Sequence, residues 1–238
     1  MSKRIAIVQS SYIPWKGYFD LIAAVDEFVL LDDVQYTKRD WRNRNRIKSS
    51  SGPVWLTIPV VVSGRFEQRV CDVLVSDGRW NEKHWRSIRA SYARAPYFRD
   101  YERTLEALFT GATDVRLSGI NFRLLKGLCD LLCIDTRITW SADYTASGNR
   151  TGRLVSLCRQ SGATEYLTGP SARAYLDESQ FENAGIVVQY ADYSGYPEYA
   201  QLYPPFDHRV SVIDLLVHTG PDAFRYMMTA GRRGSWAT

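Results

Sequence analysis

The strongest constraint on the fold is the opening of the chain. An apolar run, Lys3-Arg-Ile-Ala-Ile-Val-Gln9, is followed by helical spacing and then by a second run, Glu27-Phe-Val-Leu-Leu-Asp32. Both runs are short, continuous and apolar, as strands buried on both faces are. Between them Phe19, Ile22, Ala23 and Val25 recur at helical spacing after Pro14, a residue tolerated at or before a first helical turn. Strand, helix and strand in this order predict a right-handed parallel crossover. That crossover puts the loop Ser10 to Trp15 at the carboxyl edge of the sheet, where ligands of open α/β sheets bind.

The same pattern resumes late in the chain. Asp135 to Trp140, Glu165 to Thr168 and Ile186 to Tyr190 read as strands, with a helix over Gly152 to Ser161. Trp55 to Val62 reads as a third strand of the sheet, with Pro59 marking its end or an edge position. From Arg79 to Cys133 the pattern is helical, punctuated by Pro96 and Gly111. Ser211 to His218 and Pro221 to Met228 read as closing helices, and Arg232 to Thr238 as a fraying tail. The expected organisation is one α/β domain over 1–238 with a predominantly helical insertion lobe at about 79–133. Hydrophobic residues at 45% and charged residues at 24% supply a sizeable core and argue against disorder. No run has the apolar length of a membrane span, and Met1 to Lys16 lacks a signal-peptide core, so the expected address is the cytoplasm.

Cys71, Cys129, Cys133 and Cys158 lack the C-x-x-C spacing of zinc sites and read as reduced thiols, with Cys129 and Cys133 sharing a helix face with leucines in the core. His84, His208 and His218 cluster with no ligand-spaced cysteine or carboxylate, so no metal site is expected and the residues assign no cofactor. A net charge of +4 is too mild for a protein that coats nucleic acid.

The densest chemical signal runs from Asp32 to Lys48, where two acids at a strand end lead into six basic residues, a tryptophan and two asparagines. A charged surface loop would satisfy the composition alone. Position argues for more, because Asp32 and Asp33 follow a buried strand into the carboxyl-edge crevice. Arg44 and Asn45 bring multi-donor groups beside Trp41, suited to a phosphate or carboxylate and a flat ring. Gln35 and Tyr36 add neutral hydrogen-bonding groups, and the loop from Gln9 enters a helix whose first amides can receive an anion.

Other candidates are scattered. Ser171, in Gly169-Pro-Ser after a strand, reads as a helix N-cap before a nucleophile, and Arg153 as a group that closes that loop over an anion or as a surface helix residue. Asp20, Asp33 and His84 are alternative general bases, although a helical histidine is more often structural. Gly148-Asn-Arg-Thr-Gly-Arg153 fails as a P-loop. Tyr190, Tyr193, Tyr196, Tyr199 and Tyr203, interrupted by Gly195 and Pro197, read as a loop pinned to the core by its rings before a surface for sugar or ring contacts. Asp214, inside an apolar run, needs a buried partner, such as a basic residue of the Arg-Asn loop.

Gln9, Tyr12, Pro14-Trp15, Gly17-Tyr-Phe-Asp20, Asp32-Asp-Val-Gln35, Trp41-Arg-Asn-Arg-Asn45 and Trp55-Leu-Thr-Ile-Pro59 together resemble the WbqC-like proteins. The likeness continues at Lys83-His-Trp85, Tyr97-Phe98, Asn121, Tyr166-Leu-Thr-Gly-Pro-Ser171, Tyr175 and Ser211-Val-Ile-Asp214, covering nearly the whole chain. It implies a role in bacterial surface-polysaccharide or specialised-metabolite pathways, as a group-transfer enzyme acting on a sugar or amine. It adds Asn121 and Tyr175 to the substrate-binding candidates Gln9, Tyr12, Trp15, Asp32, Gln35, Arg44, Asn45, Arg153 and Ser171. The element order is also similar to nucleotidyltransferase-like folds, whose paired histidines at the first helix are missing between Ser10 and Asp20. The expected fold is therefore α/β, a mostly parallel Rossmann-like sheet flanked by helices, with a helical lobe.

Three functions follow from these residues. The first is a transferase joining an acyl or aminoacyl group to an amine or hydroxyl of a sugar-like acceptor, its small-molecule substrate carrying a phosphate or carboxylate. The second is a nucleotide-dependent enzyme that activates a carboxylate or transfers a nucleotidyl group. The third is an RNA-binding module using Arg39 to Lys48 with Trp41 as a stacking surface. No membrane partner is expected.

Overall fold

The computed structural model describes residues 2–228; the expected fraying tail lies outside them. Five parallel strands form the central sheet: β1 (Arg4–Val8), β2 (Glu27–Leu30), β5 (Arg137–Trp140), β6 (Glu165–Thr168) and β7 (Val187–Tyr190), in the spatial order β5-β2-β1-β6-β7. Register runs from Ile5 beside Glu27 to Val8 beside Leu30. The chain thus builds outward from β1 to β5, then restarts at β6 on the other side of β1. This is the doubly wound, Rossmann-like α/β arrangement.

Strand alternation sends Ala6, Phe28, Leu30 and Leu167 to one face and Ile5, Ile7, Val29 and Tyr166 to the other. The first face packs on α1 (Lys16–Ala23), on the helices α2 (Trp80–Tyr92), α3 (Phe98–Thr110) and α4 (Leu117–Leu131), and on α7 (Val212–Thr219). The second packs on α5 (Arg150–Gln160) and α6 (Glu178–Glu182). Both faces are covered, which is why the strands are apolar throughout rather than alternating.

Five local expectations are corrected. The segment read as a third sheet strand is β4 (Gly52–Thr57), paired antiparallel with β3 (Arg44–Ser49) in a separate hairpin. Asn45 and Ile47 point inward from β3 while Val54 and Trp55 stand exposed on β4, an exposure that a strand inside a covered parallel sheet would not have. Arg44 to Lys48, read as loop, is therefore strand. Residues Gly220–Tyr226 are 3₁₀ rather than α-helical, entered through Gly220 at φ 57° with Pro221 following. Cys133 is exposed: α4 ends before it, and its positive φ of 55° takes it off the leucine face that holds Cys129. Finally, Gly169, not Ser171, sits at the N-cap of the 3₁₀ turn Pro170–Ala174, because Pro170 already occupies its first position.

Among the described residues no helix is long and apolar enough to cross a membrane.

Candidate functional site

Strand order reverses between β1 and β6, so their carboxyl ends diverge and leave a crevice. A cavity of about 840 Å³ occupies it. Its floor comes from Val8 and Gln9 at the end of β1 and from Thr168 and Gly169 at the end of β6, and its rim from the start of α5. Trp15, Tyr18 and Tyr193 form an aromatic wall, and Arg42 together with Arg150 and Arg153 from the first turn of α5 completes the lining. None of the described lining residues is acidic.

The wall depends on a clamped loop. Tyr12 donates its backbone N–H to the Trp41 carbonyl at 3.0 Å, and Asn45 Nδ2 donates to the carbonyls of Tyr12 and Ile13 at 3.1 and 3.0 Å. These bonds hold Ile13 at φ 35°, a costly conformation for a β-branched residue. The strained turn delivers Trp15 across the first turn of α1. Gly17 makes room for it there, because a Cβ at that position would come within 2.3 Å of the indole. Trp15 then meets Tyr193 and Tyr196 edge-on, with ring centroids 5.2 and 5.7 Å away. Burial, with Asp20 adding to it, pushes the Tyr193 phenol up to about 12, so it remains a neutral hydrogen-bonding group.

The two acids at the end of β2 serve different partners. Asp32 is buried and turns inward, accepting the Ser10 N–H at 2.7 Å and the Ser118 hydroxyl, so it ties the loop to α4. Asp33 accepts from the Ser141 hydroxyl at 2.7 Å and from Arg153 Nη2, holding that guanidinium at the cavity rim. Arg153 Nε is buried without a hydrogen bond. Arg42 Nε is in the same state, its nearest acid, Asp40, lying 3.8 Å away and its side chain only 11% exposed. Buried donors left open beside a cavity are suited to an anionic guest.

Of the residues singled out in the sequence, Gln9, Trp15, Arg153, Ser171 and Tyr175 line this cavity. Asn45 lines a smaller neighbouring one. Tyr12 is fully buried behind the loop, and Asn121 donates to Ser10 Oγ and the Arg42 carbonyl at 3.0 and 2.9 Å from beneath it. Gln35 Nε2 donates to the Phe66 carbonyl, away from the crevice. Arg44 stacks over Trp55 at 4.1 Å on the hairpin. Asp20 accepts from the Tyr196 hydroxyl and the Met228 N–H inside the protein. His84 is packed against Tyr12 and Trp80, its Nδ1 2.7 Å from the Tyr12 hydroxyl. Burial pulls the imidazole down to about 4, with Lys83 contributing and a bond to the Thr57 backbone opposing, so it is neutral at physiological pH.

Asp214 has its partners, though not in the Arg-Asn loop. Tyr199 Oη and Gln201 Nε2 both donate to its Oδ1 at 2.8 Å, and His218 Nδ1 lies 3.4 Å from the same oxygen. The tyrosine-rich segment is thereby pinned to α7 through Tyr199 and to α1 through Tyr196.

Sequence reasoning passed over Arg42, Arg150 and Thr168 as site residues, and placed Tyr193 in a string read mainly as a core-pinned loop. Arg42 sits beside the singled-out Arg44, and the strand that begins at Arg44 separates their directions. The one available signal for Arg150 was its place at the start of a helix that follows the sheet's restart.

The WbqC-like protein family model matches residues 9–226. The chain is also 48% identical over 227 residues to the uncharacterized protein Rv1507c of Mycobacterium tuberculosis, covering 94% of this chain and 98% of that protein. No solved structure is significantly similar to it.

Proposed function

This chain belongs to the WbqC-like protein family, and from that premise we propose that it is a small-molecule group-transfer enzyme. Its substrate carries a phosphate or carboxylate, which seats in the crevice between β1 and β6. The reaction passes an acyl or aminoacyl group to an amine or hydroxyl of a sugar-like acceptor, as one step of a biosynthetic pathway. The observation that carries the reading is a crevice faced by Arg42, Arg150 and Arg153 with no acidic residue among its described lining, two of these arginines keeping a buried Nε without a hydrogen bond. Such guanidiniums bind anions with direction as well as charge.

Trp15 and Tyr18 offer flat faces for a ring, and Tyr193 a neutral hydroxyl. Asp33 is the carboxylate nearest this chemistry through its contact with Arg153, and in this reading it positions Arg153 and is the remaining candidate base. Asp20 and His84 take no part, because both are enclosed elsewhere.

A second reading, a nucleotide-dependent enzyme, draws on the cavity's size and its place at the strand-order reversal, where doubly wound sheets hold nucleotides. Magnesium dependence and release of pyrophosphate would separate it from direct transfer. A thermal-shift screen of nucleotides, nucleotide sugars, acyl-CoA and aminoacyl donors tests both. A ligand at about a hundred times its Kd stabilises by about 2.7 kcal/mol, and no stabilisation by any class would overturn both readings. Binding to RNA instead, with steep weakening in salt, would favour the exposed Trp41, Trp55 and Arg44 face.

A further inference from the structure

A second cavity of about 280 Å³ adjoins the first and shares Val8, Trp15, Tyr18 and Arg42 with it. Pro14 and Trp41 complete a mostly apolar enclosure. Its polar groups are few. The Asn45 amide is committed to the carbonyls of Tyr12 and Ile13, and its oxygen accepts the Arg46 N–H at 2.8 Å. Ser11 adds a hydroxyl, and the charges facing the space are Arg42 and Arg209, the latter also 3.5 Å from Asp207 Oδ1; no described lining residue is acidic.

Size and chemistry together select the guest. A cavity of roughly 150 Å³ holds one benzene-sized molecule, and pockets for larger ligands run from about 300 to 1,000 Å³. The smaller chamber therefore suits a single ring or branched chain, and the larger one suits a nucleotide-sized molecule. A carboxylate is matched by one bidentate arginine, and its single planar charge leaves an apolar body for the apolar walls, whereas a phosphoryl group's heavier charge is costlier to desolvate there.

Resting on the function proposed above, we infer that the smaller chamber binds a small carboxylic acid with an aromatic or branched apolar body, its carboxylate held by Arg42 and Arg209. Arg42 lies on the boundary, so one guanidinium faces the anions of both chambers. The carboxylate of one ligand is thus brought next to the charged end of the other, which is the juxtaposition that a group-transfer or carboxylate-activating enzyme needs.

The probes are benzoate and its neutral isostere benzamide for the smaller chamber, and inorganic pyrophosphate for the larger, followed by tryptophan fluorescence and ligand-observed NMR on the full chain. Benzoate should bind at least tenfold more tightly than benzamide. Its affinity should fall at least tenfold in Arg209→Ala, whose side chain is 80% exposed in the parent and lines only this chamber, and also in Trp41→Leu. Arg150→Ala, which touches only the larger chamber, should weaken pyrophosphate and leave benzoate unchanged. Absent benzoate binding, equal binding of benzamide, or indifference to both Arg209→Ala and Trp41→Leu would overturn the inference. If benzoate follows this pattern while pyrophosphate fails to bind, the chamber stands and the anion-seating function falls. If pyrophosphate binds and benzoate does not, the reverse holds.

Discussion

The two ends of the parallel sheet carry similar charges and satisfy them to different degrees. At the amino end, Lys3 Nζ meets Glu27 Oε2 at 2.7 Å and the Ser161 carbonyl at 2.6 Å, while Thr139 and Tyr144 also donate to Glu27. Arg4 grips Glu165 through Nε at 2.8 Å, and its backbone N–H donates to Asp26. At the carboxyl end Arg153 is paired with Asp33 through Nη2, yet it and Arg42 each keep a buried Nε unbonded, and among the described residues Arg42 has no acid closer than 3.8 Å. Unmet hydrogen-bonding capacity in a buried group is costly. It persists at one end of the sheet only, and that end faces a cavity. The fully paired end serves stability; at the other, Asp33 holds Arg153 by one nitrogen only, and the Nε groups of Arg42 and Arg153 remain open beside the cavity.

The largest expected effect tests the paired end. Glu27→Ala strands Lys3 and removes three hydrogen bonds at a residue 1% exposed, so urea unfolding should show a loss of about 3 kcal/mol, toward the low end for a broken buried pair because Lys3 is partly solvated. Ligand stabilisation should survive in proportion to the folded fraction. A ligand-specific loss instead would erase the contrast between the two ends.

Acid probes the support behind the open end. His84 is held neutral, with its pKa lowered from 6.5 to about 4 by burial. The unfolded chain therefore binds a proton in the window between those values that the folded chain refuses. Stability contributed by the neutral imidazole is complete above pH 6.5 and falls as pH drops toward 4, by up to about 3 kcal/mol. Urea midpoints measured from pH 7.5 to 4 should decline less steeply in His84→Gln than in the parent; matching slopes would show that other groups control the acid response.

At the open end itself, Arg42→Ala should weaken pyrophosphate binding by tenfold to a hundredfold, about 1.4–2.7 kcal/mol, while the melting point without ligand stays near the parent's. Unfolding by this change would mean that Arg42 is structural and the contrast is misdrawn. The smallest effect is expected at Arg44, on the hairpin surface. Arg44→Ala removes a cation–π contact with Trp55 worth about 0.5–1 kcal/mol, and titration calorimetry with pyrophosphate should give the parent's affinity.

The place of the crevice in the fold was largely legible in the sequence. The strand-helix-strand opening places Gln9 and Trp15 at the carboxyl edge, and the restart at Glu165 places Ser171 there too, because parallel crossovers leave little choice of edge. Direction was not legible. Asp32 and Asp33 are adjacent, yet one ties the loop to α4 and the other holds Arg153. Arg42 and Arg44 lie two apart, yet one faces two cavities and the other covers Trp55. Local pattern carries no information on which distant partner a polar side chain will find.

What the sequence determined by itself is the α/β class, most strand positions and the edge at which the crevice opens, since all of these follow from hydrophobic period and chain handedness. Tertiary structure alone decided that β3 and β4 leave the sheet as a hairpin, that His84 and Asp20 are enclosed, and that Arg42, Arg150 and Arg153 converge. The reason is physical. Burial of apolar strands depends on short-range spacing, whereas pairing or orphaning a charge depends on what the rest of the chain brings within about 4 Å of it.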